Sequence, residues 1–294
     1  MFKGNDAQTR SLAPDVQFAL PAPSLRPLIT TYYFVVTPVP LVDHLHPEWG
    51  NLRFTLSGTW TLTRPGYTDT TPARHALFGP SDRTGTVGTT GPAAMVGVGL
   101  TALGWDQLIG EPAHAHANRI SEIGGLLGAR ADALHQQLLT ANWPEIPALF
   151  DAFFAALAAA APPPDPVILR AQAALLSGRI DSVPDFAAEV GVTERTLERL
   201  CKRVFGFTPK RLLRRQRFLR TLAEIGDRLD QPLSELLDGS YYDQSHFIRE
   251  FRAYMGMAPL AYFNGPRQMI RRASQARMAA AGAPVQGLHR PSGD

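Results

Sequence analysis

A pattern of residue types 17 positions long occurs twice in this chain of 294, and the repeat constrains the second half of the fold more than any other feature. Residues 193–209 recur, shifted by 50 positions, at 243–259. Each copy begins with a helix-capping side chain, continues with an apolar stripe opposite basic residues, and ends in Gly-x-x-Pro. The matching pairs are Thr193 and Asp243, Leu197 and Phe247, Arg199 and Arg249, Cys201 and Phe251, Lys202 and Arg252, Phe205 and Met255, Gly206 and Gly256, and Pro209 and Pro259.

The first copy predicts a helix-turn-helix. Ser182 is expected to cap a first helix, Gly191 to adopt the positive φ of a sharp exit, and Thr193 to cap a second helix. A second helix of this kind fits the major groove of DNA, where side chains of its N-terminal half reach base edges. Its side chains divide into a buried stripe of Leu197, Leu200, Cys201 and Val204 and an exposed face of Arg195, Glu198, Arg199 and Lys202.

The second copy predicts the same module. Its first helix is expected to run from Pro232 to Leu237, and Asp243 is expected to cap its second helix. Thr208-Pro209 begins a long helix between the copies, which would hold the two second helices about one turn of DNA apart, roughly 34 Å. In the second helix of this copy Phe247, Phe251 and Tyr254 face inward, Ser245, Arg249 and Arg252 face outward, and Gln244 and His246 lie near the tip.

Basic residues are concentrated around the first copy. Residues 1–164 contain 9 Lys and Arg against 12 Asp and Glu, whereas residues 165–294 contain 20 against 14. Within residues 195–220 there are ten basic side chains and one acidic side chain, Glu198. Such a concentration suits binding to a polyanion, although solvated basic helices share it.

Residues 180–263 resemble the DNA-binding domain of the AraC/XylS family of bacterial transcription regulators. The resemblance implies two helix-turn-helix units that bind asymmetric sites near promoters. It assigns base contacts to Arg195, Glu198 and Arg199 in the first unit and to Gln244, Ser245 and Arg249 in the second. The matching stretches are Ala187-Ala-Glu-Val-Gly191, Thr193-Glu-Arg-Thr-Leu197, Gly206-Phe-Thr-Pro209, Tyr241-Tyr-Asp-Gln-Ser-His-Phe-Ile-Arg-Glu-Phe251 and Gly256-Met-Ala-Pro259.

Two positions depart from the family pattern. Leu236 stands where the family usually has alanine, and Ser240 stands where it has the turn glycine. The second unit is therefore expected to be looser or to read fewer bases. Lys202, Arg203 and Arg252 lie farther along their helices and are assigned to phosphate contacts. Thr196 is left as a phosphate or uncertain contact, and His246 as a tip contact or a surface residue.

A run of prolines divides the chain. Ala161-Pro162-Pro163-Pro164-Asp165-Pro166 can be neither helix interior nor central strand and predicts a stiff linker at 162–166. The predicted fold class is α+β: an N-terminal antiparallel β-rich, cupin-like domain with trailing helices (1–161), and an all-α domain with two helix-turn-helix motifs joined by a long helix (167–273). Residues 274–294 are expected to form a flexible tail. The N-terminal half resembles more weakly the β-rich sensor or dimerisation domains of the same family.

Several functional classes receive no support from the sequence. The single cysteine, Cys201, excludes an internal disulfide and a cysteine-clustered zinc site, and is expected to be a small buried side chain. His44 and His46 share a strand face, and His75 is the nearest further ligand, but a third ligand at suitable spacing is missing. We therefore predict no metal, no cofactor and no catalytic residue. The start of the chain has no secretory h-region, so a bacterial cytoplasmic protein, nucleoid-associated when bound to DNA, is expected.

The sequence thus predicts a DNA-binding transcription regulator. Its expected partners are double-stranded promoter DNA and a second copy of the chain, with a small-molecule effector and RNA polymerase as candidates and no membrane. Two alternatives stay open: a regulator whose N-terminal domain only dimerises, and a metal-dependent β-domain enzyme fused to a DNA-binding module. The ligand-binding residues, the target site and the sign of regulation are not predicted.

Overall fold

The alternating apolar residues of the N-terminal half form two antiparallel sheets in the computed structural model, which describes residues 13–64, 67–70, 74–123, 127–226 and 244–291. The strands are β1 (Asp15–Ala19), β2 (Ile29–Thr37), β3 (Leu41–Leu45), β4 (Asn51–Ser57), β5 (Trp60–Arg64), β6 (Tyr67–Thr70), β7 (His75–Phe78), β8 (Gly85–Thr89), β9 (Ala93–Leu100) and β10 (Ile120–Glu122). One sheet has the order β1-β2-β9-β4-β7-β10 and the other has the order β3-β8-β5-β6. The predicted antiparallel β-rich half and the α+β class are confirmed.

Helices follow the strands in the second part of this half. They are α1 (Ala102–Gly104), α2 (Ala113–His116), α3 (Ala129–Thr140) and α4 (Ile146–Ala159). Pro144 lies in a short 3-10 turn between α3 and α4, and Pro147 lies in the first turn of α4. The prolines therefore separate two helices, because proline is tolerated in the first turn of a helix and not in its interior.

Successive residues of the six-stranded sheet face opposite sides. The rings of Tyr32 and Phe54 pack on Phe150 of α4, with centroids 5.0 and 5.8 Å apart. Their neighbours Tyr33 and Arg53 instead face a cavity between the two sheets. This period of two gives the sheet one face covered by helices and one face that lines an interior space.

The C-terminal part is helical. Its helices are α5 (Pro166–Ser177), α6 (Val183–Val190), α7 (Glu194–Phe205), α8 (Pro209–Ile225), α9 (Gln244–Met255), α10 (Pro259–Asn264) and α11 (Gln268–Ala281). The predicted caps are confirmed at Ser182, which accepts from the N–H of Asp185, and at Thr193, which accepts from that of Thr196. Thr208 precedes α8 as predicted, although its side chain makes no capping hydrogen bond. None of the helices in the described ranges is long and apolar enough to cross a membrane.

The long helix α8 belongs to two apolar cores. Leu212 and Leu213 lie in a core that runs without interruption from the six-stranded sheet through α5 and α6 to α7. Phe218 and Leu222, farther along α8, lie in a second core with Phe247 of α9. One helix therefore packs against both units. Its first part shares a core with the first unit and the N-terminal half, and its second part shares a core with α9 of the second unit.

The segment expected to be a flexible tail, residues 274–294, is ordered through residue 291. Helix α11 and a 3-10 turn at Gln286–Leu288 fold back onto the N-terminal half, where α11 lies against β1 and β3. The buried carboxylate of Asp43 accepts the N–H groups of Met269 and Ile270 at 2.7 and 3.2 Å and so caps α11. The C-terminal segment is thus held by polar partners in β3 and β4, Asp43 and Asn51, which its local composition does not reveal.

We predict that Asp43→Ala destabilises the protein by about 1–3 kcal/mol, because the change leaves two buried N–H groups of α11 without an acceptor. Urea denaturation of the full chain measures the free energy of unfolding. Limited proteolysis should show earlier cleavage between residues 268 and 291. Val42→Ala, at an exposed position on the same strand, is the matched control and should leave both readouts close to wild type. An Asp43→Ala variant as stable and as resistant to protease as wild type would contradict this role.

Candidate nucleic-acid interface and interior cavity

The first helix-turn-helix unit lies entirely within the described residues. Gly191 ends α6 with a φ of +76°, a conformation that suits glycine and allows the sharp turn into α7. Cys201 is buried in the core as predicted, and burial raises the pKa of its thiol to about 12. The side chains that pack the two helices together are Phe186, Ala187, Val190, Leu197, Leu200, Cys201 and Val204.

The outer face of α7 carries the predicted base-contacting residues. Arg195, Glu198 and Arg199 are all exposed, as are Thr196 and Lys202. The carboxylate of Glu198 and the ammonium of Lys202 form an ion pair of 2.7 Å one turn apart. The structure therefore places these five side chains together on a solvent-facing part of α7, where the one carboxylate, that of Glu198, is ion-paired with Lys202.

Arg203 is placed differently from the rest of the predicted set. Its guanidinium lies 2.8 Å from Asp106 and 3.5 Å from Asp165, two acids outside the helix-turn-helix unit. Burial raises the pKa of Asp106, while the charge of Arg203 opposes that rise. An arginine held by two carboxylates is less available to a phosphate than the charge of the sequence suggests.

Other cations of the 195–220 stretch are also paired inside the protein. Arg211 forms an ion pair with Asp82, and Arg214 and Arg217 lie 3.1 and 3.6 Å from the buried carboxylate of Glu250. Arg215 is completely buried. Less of the positive charge of this stretch is therefore available to DNA than the residue count indicates, and Arg195 and Arg199 at the start of α7 are exposed.

The described part of the second unit is α9. Its inward face contains Phe247, Phe251 and Tyr254, and the ring of Tyr254 stacks on Phe218 of α8 at 4.6 Å. The predicted site residues Gln244, Ser245, Arg249 and Arg252 are exposed, and His246 is half-buried. The expected first helix from Pro232 to Leu237, together with Leu236, Ser240 and the predicted cap Asp243, lies outside the described residues.

The guanidinium of Arg215 joins α8 to the N-terminal half. It donates to the backbone carbonyls of Ser81 at 2.9 Å and Glu48 at 3.4 Å, and it lies 3.6 Å from the centre of the Trp49 ring. Burial lowers the pKa of Arg215 to about 10, so the group stays charged at neutral pH. Arg215 therefore contacts two loops that connect strands of the sheets, one before β4 and one after β7.

Two further contacts hold the helix-turn-helix units against these loops. Gly206, with φ of +84°, packs so closely on Pro80 that an added Cβ would lie 2.7 Å from its ring. The backbone N–H of Thr84 donates to the carbonyl of Tyr254 in α9 at 2.8 Å. Only glycine at position 206 supplies both the backbone conformation and the space for this approach.

An interior cavity of about 100 Å³ lies between the two sheets and α11. Its walls are mostly apolar, with a few polar groups on one side. The apolar members include Val16, Phe18, Trp60, Leu62, Val87, Met95 and Met269, and the polar members include Tyr33, His46, Glu48, Arg53, Arg277 and Gln286.

The polar side chains of the cavity make hydrogen bonds and ion pairs. Arg53 is ion-paired with Glu48 and donates to the hydroxyl of Tyr33 at 2.8 Å. Burial alone would lower the pKa of Arg53, but its interactions with Glu48 and Tyr33 together outweigh burial and raise the pKa. Arg277 donates to the hydroxyl of Thr31 at 2.8 Å. Sequence reasoning missed this group, because Tyr33 of β2, Arg53 of β4 and Arg277 of α11 are distant in the chain.

The histidines considered as metal ligands have other surroundings. His46 Nε2 lies 2.6 Å from the hydroxyl of Tyr262, and burial lowers the pKa of His46 to about 4. His75 lies 3.2 Å from a carboxylate oxygen of Asp132. Within the described ranges no three His, Cys, Asp or Glu side chains are grouped as they would be around a metal ion.

Comparisons with known proteins give one family match and several similar structures. Residues 186–265 match a family model described as a helix-turn-helix domain. No curated protein sequence matches the chain. The solved structure of ToxT from Vibrio cholerae is 12% identical and covers 78% of this chain and 97% of its own, with a TM-score of 0.44. The AraC-like transcriptional activator CuxR is 16% identical and covers 73% and 88%, with a TM-score of 0.30.

The matched residues contain α7, α8 and α9 and all but the first three residues of α6. All the stretches on which the resemblance to the AraC/XylS family rests lie within the matched residues. Residues 186–265 therefore form a helix-turn-helix domain of the AraC type, the DNA-binding domain of a transcription regulator.

Proposed function

We propose that the chain regulates transcription by reading promoter DNA with α7 and α9, under the control of a small molecule bound in the interior cavity. The observation that carries the first part is the exposed face of α7, where Arg195, Glu198 and Arg199 project from a complete helix-turn-helix unit. Arginine and glutamate at such positions form hydrogen bonds to base edges in the major groove.

In the first unit, the side chains divide by their position along α7. Arg195 and Arg199 lie one turn apart in the N-terminal half, and each guanidinium has the geometry for bidentate contact with guanine. Glu198 accepts from the amino group of cytosine once its ion pair with Lys202 opens. Lys202 then turns to a phosphate, and Arg203 does so when it leaves Asp106 and Asp165. Thr196, beside the cap, is assigned to a phosphate.

In the second unit, the N-terminal turns of α9 do the reading. Gln244, Ser245 and Arg249 are exposed there and are assigned to bases. Arg252 lies farther along the helix and is assigned to a phosphate, and His246 to the backbone or the groove edge. The shared helix α8 fixes the two reading helices relative to each other, which supports recognition of two half-sites on one face of the duplex.

The position of the cavity supports control by a small molecule. Its walls come from both sheets and from α11, which follows the second unit in the chain. A ligand that favours one placement of α11 over another shifts the population of conformations that bind DNA. We keep a homodimer, contact with RNA polymerase and a bacterial cytoplasmic location as predictions of the same proposal.

We expect Arg199→Ala to relax the preference for one base pair by about 1–3 kcal/mol, because it removes a base contact. Lys202→Ala should instead weaken binding to all sequences alike and reduce the slope of log K against log salt concentration by about 1. Anisotropy titrations against every single-base variant of a selected site, at several salt concentrations, separate the two effects. Arg130→Ala, at an exposed position on α3, is the control and should bind as wild type does. Equal losses on every sequence for both variants would refute the division of roles.

Selection of bound duplexes from a random pool at about 150 mM salt tests whether both units read DNA. We expect two enriched half-sites with centres about 10–10.5 base pairs apart. Arg249→Ala should remove the information at one half-site and leave the other intact. An unchanged two-part motif in the Arg249→Ala selection would argue against base reading by α9, and the absence of any enriched sequence would argue against the regulator.

A further inference from the structure

We propose that Arg277 of α11 binds the head group of the effector, and that the effector is therefore a small monoanion, a carboxylate with a compact apolar body. This inference rests on the proposed role of the cavity as the effector site. It goes beyond that role because it assigns the ligand class and the residue that selects it. The residue lies outside the stretch that matches the helix-turn-helix family, residues 186–265.

The charges that line the cavity do not cancel. Arg53 and Glu48 form an ion pair with each other, and the buried imidazole of His46 is neutral at pH 7, since its pKa is about 4. Burial raises the pKa of Tyr33, so its hydroxyl stays protonated. Arg277 remains, and the lining therefore carries one net positive charge.

Arg277 is buried without an acid of its own. Its side chain is 7% exposed, donates to the hydroxyl of Thr31 and lies 4.3 Å from the ring centre of Phe18. In the described part of the chain no carboxylate lies within 4 Å of its guanidinium. Glu48 acts on it favourably only from a greater distance, and Arg53 acts against it. A buried cation is costly unless it is paired, so the site is electrostatically incomplete.

A carboxylate completes this site. It offers two oxygens in the geometry that a guanidinium binds best, and its single charge matches the single net charge of the lining. A phosphate dianion would leave an uncompensated negative charge among apolar walls. The cavity of about 100 Å³ limits the apolar body to a compact group, since a cavity of roughly 150 Å³ accepts benzene.

The test uses the full chain and two matched pairs of probes. Cyclopropanecarboxylate and 3-methylbutanoate are titrated beside their neutral amides, cyclopropanecarboxamide and 3-methylbutanamide, by calorimetry and thermal unfolding. Four proteins are compared: wild type, Arg277→Met, Arg277→Lys and Arg272→Gln, the last at an exposed position on the same helix. Binding to the selected promoter duplex is measured on each preparation.

We expect wild type and Arg272→Gln to bind a carboxylate at least tenfold more tightly than its amide. Arg277→Met should lose this preference while keeping its affinity for the amide, and Arg277→Lys should retain it in part, which separates loss of the charge from loss of the fold. Equal affinity for acid and amide in wild type, or an unchanged preference in Arg277→Met, would overturn the assignment of Arg277. Binding of DNA without binding of any probe would overturn the ligand class and leave the DNA-binding function standing, whereas failure to bind any duplex would remove the proposed function itself.

Discussion

The guanidinium of Arg215 lies at the junction on which the arrangement of the whole molecule depends. It is carried by α8, the helix between the two helix-turn-helix units, and it reaches backbone carbonyls of two loops of the β-rich half. Two of its nitrogens, Nε and one terminal nitrogen, have no hydrogen-bond partner among the described residues, and the Trp49 ring covers its face. A cation held in this way tolerates little displacement, since moving the loops would remove its remaining acceptors. The position of α8 is therefore coupled to that of the sheets through Arg215.

Local sequence was sufficient to predict the first unit. Ser182, Gly191 and Thr193 act through contacts within a few residues, so their capping and turn roles are visible in the sequence, and the structure confirms them. The order of the C-terminal segment was not visible in the same way. Its main partners, Asp43 and Asn51, are more than 220 residues away in the chain. The alanine and glycine content of the segment favours a flexible tail when only local interactions are considered. It does not report acceptors that a distant strand supplies.

The charge of the sequence indicates a broader basic surface than the structure shows. Arg203, Arg211 and Arg214 contribute fully to a residue count, yet each is paired with an acid that is distant in the chain. Ion pairs of this kind form only after folding, and no periodicity reports them. The cavity was hidden for the same reason, because its polar side chains come from β2, β4 and α11, which meet only in the folded protein.

The position of α11 has a practical consequence for the strands beneath it. β1 and β3 are the end strands of their sheets, and α11 lies against both. End strands present unpaired backbone groups that recruit strands from other chains unless something covers them. A chain shortened at residue 265, where the helix-turn-helix match ends, would remove that cover together with the cap at Asp43. The segment that follows the DNA-binding domain thus protects the opposite half of the molecule from edge-to-edge association.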